Sequence, residues 1–311
     1  MITFSSSTFS KPAISLVATP TKRQAILDLA VEAEHRGFAG IACPSLGGTM
    51  GLCVSLAHAT NSIPFWTSIQ PMYYSHPVEL GNTAAHINEI SQGRFGLGIG
   101  VSHGPVVQRL GVTTGKPLSD ISNYVQAIRA NERFSGQLPQ IFLATLRDKM
   151  LALSSQISEG AIWANASLRD ISRQVASVTK SNRENFFMSN MVPTVVSDDL
   201  DAAFAIHRKT LTGYVSLPNY RNYWRVAGYE KEMDNIEAVI ASTPKEALGE
   251  QLQKAMTDEW LQDCTISGNA MQVREQFENW ANAGVLPIAV MSSTSGGQAK
   301  AVAELFSVYA S

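Results

Sequence analysis

The sequence has few charges and no long apolar run. Only 16% of its 311 residues are Asp, Glu, Lys or Arg, well below the roughly 25% typical of soluble domains. The net charge of −2 argues against binding to nucleic acid or to an anionic membrane surface. No apolar stretch approaches the roughly 18 residues needed to cross a bilayer. The charge deficit fits two alternatives: surface buried between subunits, or a surface rich in Ser, Asn and Gln.

Cysteine is also scarce. Cys43, Cys53 and Cys264 form neither a C-x-x-C pair nor an even set that could build a disulfide framework. Cys43 and Cys53 have apolar neighbours, which favours small buried side chains. The N-terminal segment MITFSSSTFSKPAISLV lacks a cationic stretch followed by a long apolar one, so it is a poor secretory signal. We therefore expect a protein of a reducing compartment, located in the cytoplasm.

Metal-ligand patterns are missing from the sequence as well. The six histidines show none of the spacings H-x-H, H-x-x-x-H or H-E-x-x-H that hold a metal ion. We therefore expect no metal site. The chemistry is expected to belong to an organic cofactor, with the protein supplying position and electrostatics.

Short apolar runs alternate with amphipathic stretches through most of the chain. That alternation predicts βα units and a parallel sheet. The predicted helices include residues 21–36, 77–90, 120–133 and 147–157. The eight predicted strands cover residues 13–18, 39–43, 64–70, 95–100, 141–144, 160–165, 187–196 and 286–291. Because eight strands with intervening helices favour a closed ring over an open sheet, we predict an α/β fold of the (β/α)8 TIM-barrel type.

Residues 214–267, between the seventh and eighth strands, are too many for one crossover connection. We predict a helical insertion there, with one helix starting near Pro244, where the missing N–H of proline costs nothing. No internal repeat and no low-complexity linker divides the chain. We therefore predict a single domain over residues 1–311.

The fourth predicted strand has an unusual glycine pattern. Gly96, Gly98 and Gly100 recur every second residue and share one face of the strand. Such a face admits a flat ligand or another backbone, or it serves packing inside the barrel. A dinucleotide fingerprint fails, because His103 stands where its third glycine should be. His103 follows the strand in a loop, and its near-neutral titration suits a hydrogen-bond donor or a general acid or base.

Several segments resemble the bacterial luciferase-like monooxygenase superfamily. They are YSHPVEL at 74–80 and NEISQGRFGLGIGVSH at 88–103, which match a His-Pro helix start and an E-x-S-x-G-R-F-x-L-G-x-G strand. The segments VSHGP at 101–105, GKPL at 115–118 and LPNYRN at 217–222 resemble, more closely, a subgroup classed as deazaflavin-dependent (coenzyme F420) oxidoreductases. The resemblance runs from about residue 13 to 291. It implies a TIM barrel with an insertion after strand seven, in agreement with the strand count.

The resemblance also implies a cofactor, F420 or FMN, at the carboxyl ends of the barrel strands. Ser68 and Ile69 end strand three, where relatives carry a non-prolyl cis peptide against the ring system, so we predict a cis bond there. His103 is the implied catalytic residue. The implied cofactor-binding residues are Ser68, Ile69, Gly98, Gly100, Ser102, Thr145, Leu146 and Arg147.

Two positions depart from the family pattern. Leu146 replaces one glycine of a pair that offers backbone N–H groups to phosphate in relatives. Arg147 beside it is either a bidentate phosphate ligand or a surface arginine. The acidic or histidine residue common after strand two is replaced by Cys43-Pro44-Ser45.

The expected function is hydride transfer to, or monooxygenation of, a small organic substrate. The alternative is a non-catalytic flavin-binding or ligand-sequestering protein on the same fold.

The insertion contains a segment dense in aromatic and amide groups. Tyr220, Arg221 and Asn222 are expected to contact the cofactor tail or the substrate as part of a lid, or to pack the insertion or a subunit contact. We also expect a homodimer, from the low charge fraction and from the family's pairing of barrels through early helices. Residues 50–58 and 77–90 supply small and apolar side chains suited to that contact.

Overall fold

The computed structural model describes residues 4, 10–46, 48–102, 104–178 and 185–310. In these ranges the strands are β1 (Ala13–Ser15), β2 (Ile41–Cys43), β3 (Phe65–Thr67), β4 (Gln70–Pro71), β5 (Phe95–Gly100), β6 (Gln140–Ala144), β7 (Gly160–Ala164), β8 (Phe187–Val196), β9 (Ile266–Gly268) and β10 (Leu286–Ser292). The helices are α1 (Arg23–His35), α2 (Thr49–Ala59), α3 (Pro77–Ile90), α4 (Gly104–Leu110), α5 (Pro117–Ala130), α6 (Glu132–Ser135), α7 (Asp148–Ile157), α8 (Leu168–Ser177), α9 (Leu200–Val215), α10 (Pro218–Val226), α11 (Glu230–Ser242), α12 (Lys245–Ala255), α13 (Asp258–Cys264), α14 (Ala270–Asn282) and α15 (Gln298–Val308).

The strands form one sheet in the order β10-β1-β2-β3-β5-β6-β7-β8-β9, with β4 pairing to β5. An additional pairing of β10 with β8 closes eight strands into a parallel barrel surrounded by helices. The predicted TIM barrel is therefore confirmed. The short β9 pairs in parallel with the last three residues of β8, Thr194–Val196. It has no counterpart among the predicted strands, because Ile266 is its one large apolar residue.

The predicted element boundaries agree best where the sequence carries a strong local signal. The strands at 95–100 and 187–196 and the helix at 77–90 have the predicted bounds. The strand predicted at 64–70 is divided into β3 and the short β4, which both pair with β5. The helix predicted at 120–133 begins earlier, at Pro117, since proline is well suited to the first helical position.

One compact unit comprises the described residues of Met1–Trp163 and Ala176–Ser189. Four aromatic rings pack together in its interior, with ring centroids 4.7 to 5.8 Å apart and mostly edge-to-face. This arrangement suits the ring quadrupoles and buries a large apolar area. We call the cluster the aromatic floor, and its members are Phe4, Trp66, Phe142 and Phe187.

Two charged side chains fix the loop 57–63, which leads into β3. The guanidinium of Arg94 is 5% exposed and donates hydrogen bonds to four oxygen atoms of this loop at 2.8 to 3.2 Å. The Glu34 carboxylate accepts backbone N–H groups from the same loop at 2.5 to 3.1 Å. Partial burial opposes ionisation of Glu34, but these N–H donors outweigh it and lower the pKa of the carboxyl. The amino end of β3 is therefore held by charge-assisted hydrogen bonds.

The second compact unit comprises Ala164–Val175 and the described residues from Asn190 onward. Helices α10 to α13 occupy most of the predicted insertion at 214–267, which confirms a helical insertion between the seventh and eighth barrel strands. The Asp263 carboxylate fastens the insertion to the start of α8, because it accepts hydrogen bonds from the Ser167 hydroxyl and the Arg169 N–H. This division into two compact units does not test the prediction of a single domain over residues 1–311, which stays a prediction.

None of the helices in the described ranges is both long and apolar enough to cross a bilayer.

His207 on α9 is a buried histidine within the second unit. Its side chain is 1% exposed, and Nε2 lies 2.8 Å from Ser267 Oγ and 3.2 Å from the Ile266 carbonyl oxygen. Nδ1 has no hydrogen-bond partner among the described residues. Burial lowers the pKa of this imidazole to about 4, because the charged form loses its hydration. His207 is therefore neutral at pH 7.

We expect His207 to destabilise the folded protein on acidification. An unfolded histidine takes up a proton near pH 6.5, whereas folded His207 resists protonation down to about pH 4. Stability is thus fully present above about pH 6.5 and falls as the pH drops towards 4. Between pH 7 and pH 5 the wild type should lose about 2 kcal/mol more than His207→Gln in urea unfolding. The exposed His35, changed to Gln, serves as the control, and equal losses in wild type and His207→Gln would contradict the expectation.

Candidate functional site

The residues predicted to form the site lie at the carboxyl ends of three strands of the first unit. Strand β3 pairs with β5, and β5 pairs with β6, so the segments following them are neighbours at one edge of the sheet. This is the edge where barrels of this type bind ligands. The site residues placed there are Ser68, Ile69, Gly98, Gly100, Ser102, Thr145, Leu146 and Arg147. The predicted catalytic residue, His103, lies outside the described residues.

The end of β3 is held by both of its neighbouring strands. The Ser68–Ile69 bond is cis, which confirms the prediction made for this position. The Ser68 N–H donates to the Cys43 carbonyl oxygen at 2.8 Å. On the other side, the Thr67 hydroxyl donates to the Gly98 carbonyl oxygen at 2.7 Å. Thr67 was not among the predicted site residues, although it fixes the two that follow it.

The glycine face of β5 is filled by protein atoms. A Cβ added at Gly98 would lie 2.0 Å from the Thr67 carbonyl oxygen and 2.9 Å from Cδ1 of Ile162. A Cβ at Gly100 would lie 2.7 Å from Cδ1 of Ile69. At both positions the structure supports the packing alternative over direct ligand contact. Because Gly98 and Gly100 have no side chain, the end of β3 can approach β5, and Thr67 and Ile69 pack against these glycines.

Two buried hydroxyl groups at this edge have no partner. Ser68 is 7% exposed and Thr145 is 4% exposed, and neither Ser68 Oγ nor Thr145 Oγ1 has a hydrogen-bond partner among the described residues. A buried hydroxyl without a partner costs about 1–3 kcal/mol. Both groups are therefore candidate hydrogen-bond partners for a polar ligand, and both are among the cofactor-binding residues predicted from the sequence.

Arg147 stands at the N-terminus of α7 with an exposed side chain. It makes no side-chain hydrogen bond or ion pair with any described residue, and the helix has no side-chain cap. The first turn of a helix carries unpaired N–H groups and a partial positive charge. Asp148 in the same turn brings a negative charge, so the Arg147 guanidinium is needed for net attraction of an anion. Leu146 beside it is half-buried.

Ser102 occupies the turn between β5 and α4. Its φ is +65°, in the left-handed region that few non-glycine residues adopt, and its side chain is half-buried. The chain therefore bends sharply as it leaves the strand.

A second network joins the loop before α5 to the turn after β4. The Tyr73 hydroxyl donates to the Asp120 carboxylate at 2.9 Å, and the Gly115 N–H donates to the same oxygen at 2.7 Å. Burial, followed by the proximity of Asp120, raises the pKa of Tyr73 to about 12. The phenol therefore stays protonated and holds this loop against the turn. Sequence reasoning missed the pair, since residues 47 positions apart carry no local signal.

Strand β2 ends in a buried cysteine, with neither an acidic residue nor a histidine in the strand. Cys43 at its end and Cys53 on α2 are both fully buried. Burial raises the pKa of the Cys53 thiol, and the neighbouring Cys43 raises it further. Within the described ranges, no group of three or more His, Cys, Asp or Glu side chains could hold a metal ion.

The proposed lid residues lie on α10 in the second unit. Tyr220 is buried between two aromatic rings, with centroids at 5.0 and 5.4 Å. Arg221 is 8% exposed and donates to the Glu237 carboxylate at 3.0 Å. Asn222 is exposed. Tyr220 and Arg221 therefore pack the insertion, which is one of the alternatives stated for them.

The comparison with protein families matches residues 2–286 to the luciferase-like monooxygenases. The chain belongs to this family. A 5,10-methylenetetrahydromethanopterin reductase of Archaeoglobus fulgidus is 24% identical over 274 residues, which cover 79% of this chain and 82% of the relative. A protein named as a candidate coenzyme F420-dependent oxidoreductase of Mycobacterium tuberculosis is 23% identical over 286 residues, covering 76% and 81%.

Solved structures share the fold at low sequence identity. The coenzyme F420-dependent tetrahydromethanopterin reductase of Methanopyrus kandleri superposes with a TM-score of 0.76 at 16% identity, covering 96% of this chain and 97% of that one. The oxygenating component of a 3,6-diketocamphane monooxygenase of Pseudomonas putida, solved with FMN, gives 0.60 at 14% identity, covering 96% of each chain. These structures support the barrel fold.

We expect Gly98→Ala to disrupt the end of β3. The added Cβ would lie 2.0 Å from a backbone oxygen, and a carbonyl fixed by its strand cannot rotate away as a side chain can. The free energy of unfolding, measured in urea, should fall by about 1–3 kcal/mol.

Gly51→Ala on α2 is the matched control, because nothing lies within 4 Å of its added Cβ. That change should leave stability equal or raise it by about 0.5–1 kcal/mol. Similar behaviour of the two variants would refute the close approach at Gly98.

Proposed function

We propose that the chain is an oxidoreductase that binds coenzyme F420 or FMN at the carboxyl ends of β3, β5 and β6. The reaction is hydride transfer to, or monooxygenation of, a small organic substrate. The observation that carries the proposal is the pair of buried, unpartnered hydroxyls of Ser68 and Thr145. Membership of the luciferase-like family supports the same reaction class.

The residues present fit a flat ring with a polar edge. The Ser68 and Thr145 hydroxyls can each donate and accept a hydrogen bond, and carbonyl and N–H groups line one edge of both ring systems. Ile69 next to Ser68 supplies an apolar surface and packs against Gly100. The N-terminus of α7 with Arg147 fits the phosphate that both cofactors carry.

The bound cofactor supplies the redox chemistry: F420 carries carbon where FMN has N5, so F420 favours hydride transfer, whereas FMN also reacts with dioxygen. The chain's own groups orient the ring and hold the phosphate. His103 is the proposed hydrogen-bond donor to negative charge that develops during the reaction. We favour F420, because relatives named for that cofactor match in sequence and superpose with the higher TM-scores.

The second candidate is a flavin-binding protein without turnover. It is favoured by the end of β2, where the buried Cys43 stands in place of the expected acid or base. Turnover of reduced cofactor in the presence of electron acceptors separates the two candidates.

Spectroscopic titration of the purified protein with F420 and with FMN tests the proposal. At least one of them should bind with a dissociation constant below about 1 mM, equivalent to about −4 kcal/mol. If neither does, the enzymatic proposal is wrong.

Arg147→Ala should affect cofactor binding, whereas His103→Ala should affect turnover. Loss of the Arg147 guanidinium should weaken cofactor binding by about 1.5–3 kcal/mol, the range for a hydrogen bond to a charged group. Loss of His103 should leave binding nearly intact and slow turnover by roughly 100-fold or more. Titration and steady-state assays of each variant measure the two effects.

Arg133→Ala is the matched control for Arg147, because Arg133 is also exposed but lies on α6. It should bind cofactor like the wild type. Equal weakening by both arginine variants would show general charge attraction in place of a phosphate site.

We further propose that the protein is a homodimer, on the basis of its low charge fraction. Light scattering at micromolar concentration should give about twice the monomer mass of 33.7 kDa. A monomer mass would remove this proposal without affecting the cofactor site.

A further inference from the structure

Ser189, the third residue of β8, is a buried serine outside the set of proposed cofactor-binding residues. Its side chain is 0% exposed, and its Oγ has no hydrogen-bond partner among the described residues. An alanine would occupy the same position without a buried hydroxyl. A serine at this position is unfavourable unless something pairs with it.

The direction of Ser189 follows from its neighbour on the strand. Phe187, two residues earlier, packs against Trp66 at 5.2 Å and Phe142 at 4.7 Å in the aromatic floor. Because side chains alternate along a strand, Ser189 faces the same interior as Phe187. It lies one step closer to the carboxyl ends of the strands, directly above the floor.

The register places Ser189 close to the proposed site, near the end of β6. The Phe187 N–H donates to the Glu159 carbonyl, so Ser189 stands beside Ala161 and Ile162 of β7. On the other side of β7, Ile162 pairs with Ala144 of β6. Ser189 therefore stands level with Ala144, one residue before Thr145, and the hydroxyls of Ser189 and Thr145 are both buried without a partner among the described residues.

We propose that Ser189 Oγ binds the polar edge of the cofactor ring at the bottom of the site. This inference rests on the proposed function and adds a cofactor contact to it. The side chains of the aromatic floor beneath it carry no hydrogen-bond acceptor, and a carbonyl or N–H of the ring edge can pair with a hydroxyl. In this arrangement Ser189 binds the part of the ring that lies deepest in the barrel, and Ser68 and Thr145 bind the part nearer the barrel mouth.

Ser189→Ala tests the proposal through stability and binding together. Without cofactor, thermal unfolding of the variant should occur at the same temperature as the wild type or higher, because no internal hydrogen bond is lost. The dissociation constant for F420 or FMN, whichever binds the wild type, should rise about tenfold. The shift of the cofactor absorption maximum on binding should shrink.

Ser154→Ala is the matched control. Ser154 is equally buried, but its hydroxyl donates to the Gly160 carbonyl at 2.8 Å and pairs with Ser158 Oγ at 2.9 Å. Its loss should lower the unfolding temperature and leave the dissociation constant unchanged. The two serine variants should thus show opposite patterns.

The outcomes separate this inference from the proposed function. Wild-type protein that binds neither cofactor overturns both. Wild-type binding that Ser189→Ala leaves unchanged overturns the inference alone and indicates a buried water as the partner. A variant that unfolds at lower temperature or fails to fold also overturns it, because the hydroxyl then pairs within the protein. Ser189→Cys, which keeps the volume with a weaker donor, should weaken binding in the same direction.

Discussion

The close approach of the Thr67 carbonyl to Gly98 is the constraint on which the candidate site depends. No side chain fits between them, since an added Cβ would lie 2.0 Å from that oxygen. The approach lets the Thr67 hydroxyl reach the Gly98 carbonyl and keeps the Ser68 N–H on Cys43. With both sides of the strand end fixed, Ile69 rests against Gly100 and the Ser68 hydroxyl is left buried without a partner. The groups proposed to bind the ligand are thus arranged by backbone contacts between strands.

Buried hydroxyls without partners make a preorganised site. Their desolvation is already complete in the folded protein, so a ligand that pairs with them gains hydrogen bonds without first stripping water from those groups. The proposed phosphate site at Arg147 differs, because its guanidinium is exposed and its attraction for an anion is screened by water and salt. In the proposed site, binding of the phosphate is therefore expected to depend on ionic strength more strongly than binding of the ring.

Much of the fold could be predicted from the sequence, and less of the site. Short apolar runs predicted the bounds of β5 and β8, and Pro77 predicted the start of α3. The glycines were harder to interpret, because a missing side chain does not say which neighbour fills the space. Tyr220 and Arg221 show the same ambiguity, since aromatic and guanidinium groups serve packing and binding equally well. Ser189 could not be singled out from the sequence, because a single serine in a buried strand is common. Only the structure shows that its hydroxyl has no partner among the described residues.

Arg94 and Glu34 form hydrogen bonds with the loop that leads into β3. This loop lies at the opposite end of that strand from the candidate site. Their hydrogen bonds anchor the strand whatever residues follow its carboxyl end. This separation makes the scaffold suitable for laboratory evolution. Libraries that randomise the segments after β2, β5 and β6, with Arg94, Glu34 and the loop 57–63 held constant, should retain a large fraction of folded members. New substrate preferences can then be sought without rebuilding the barrel.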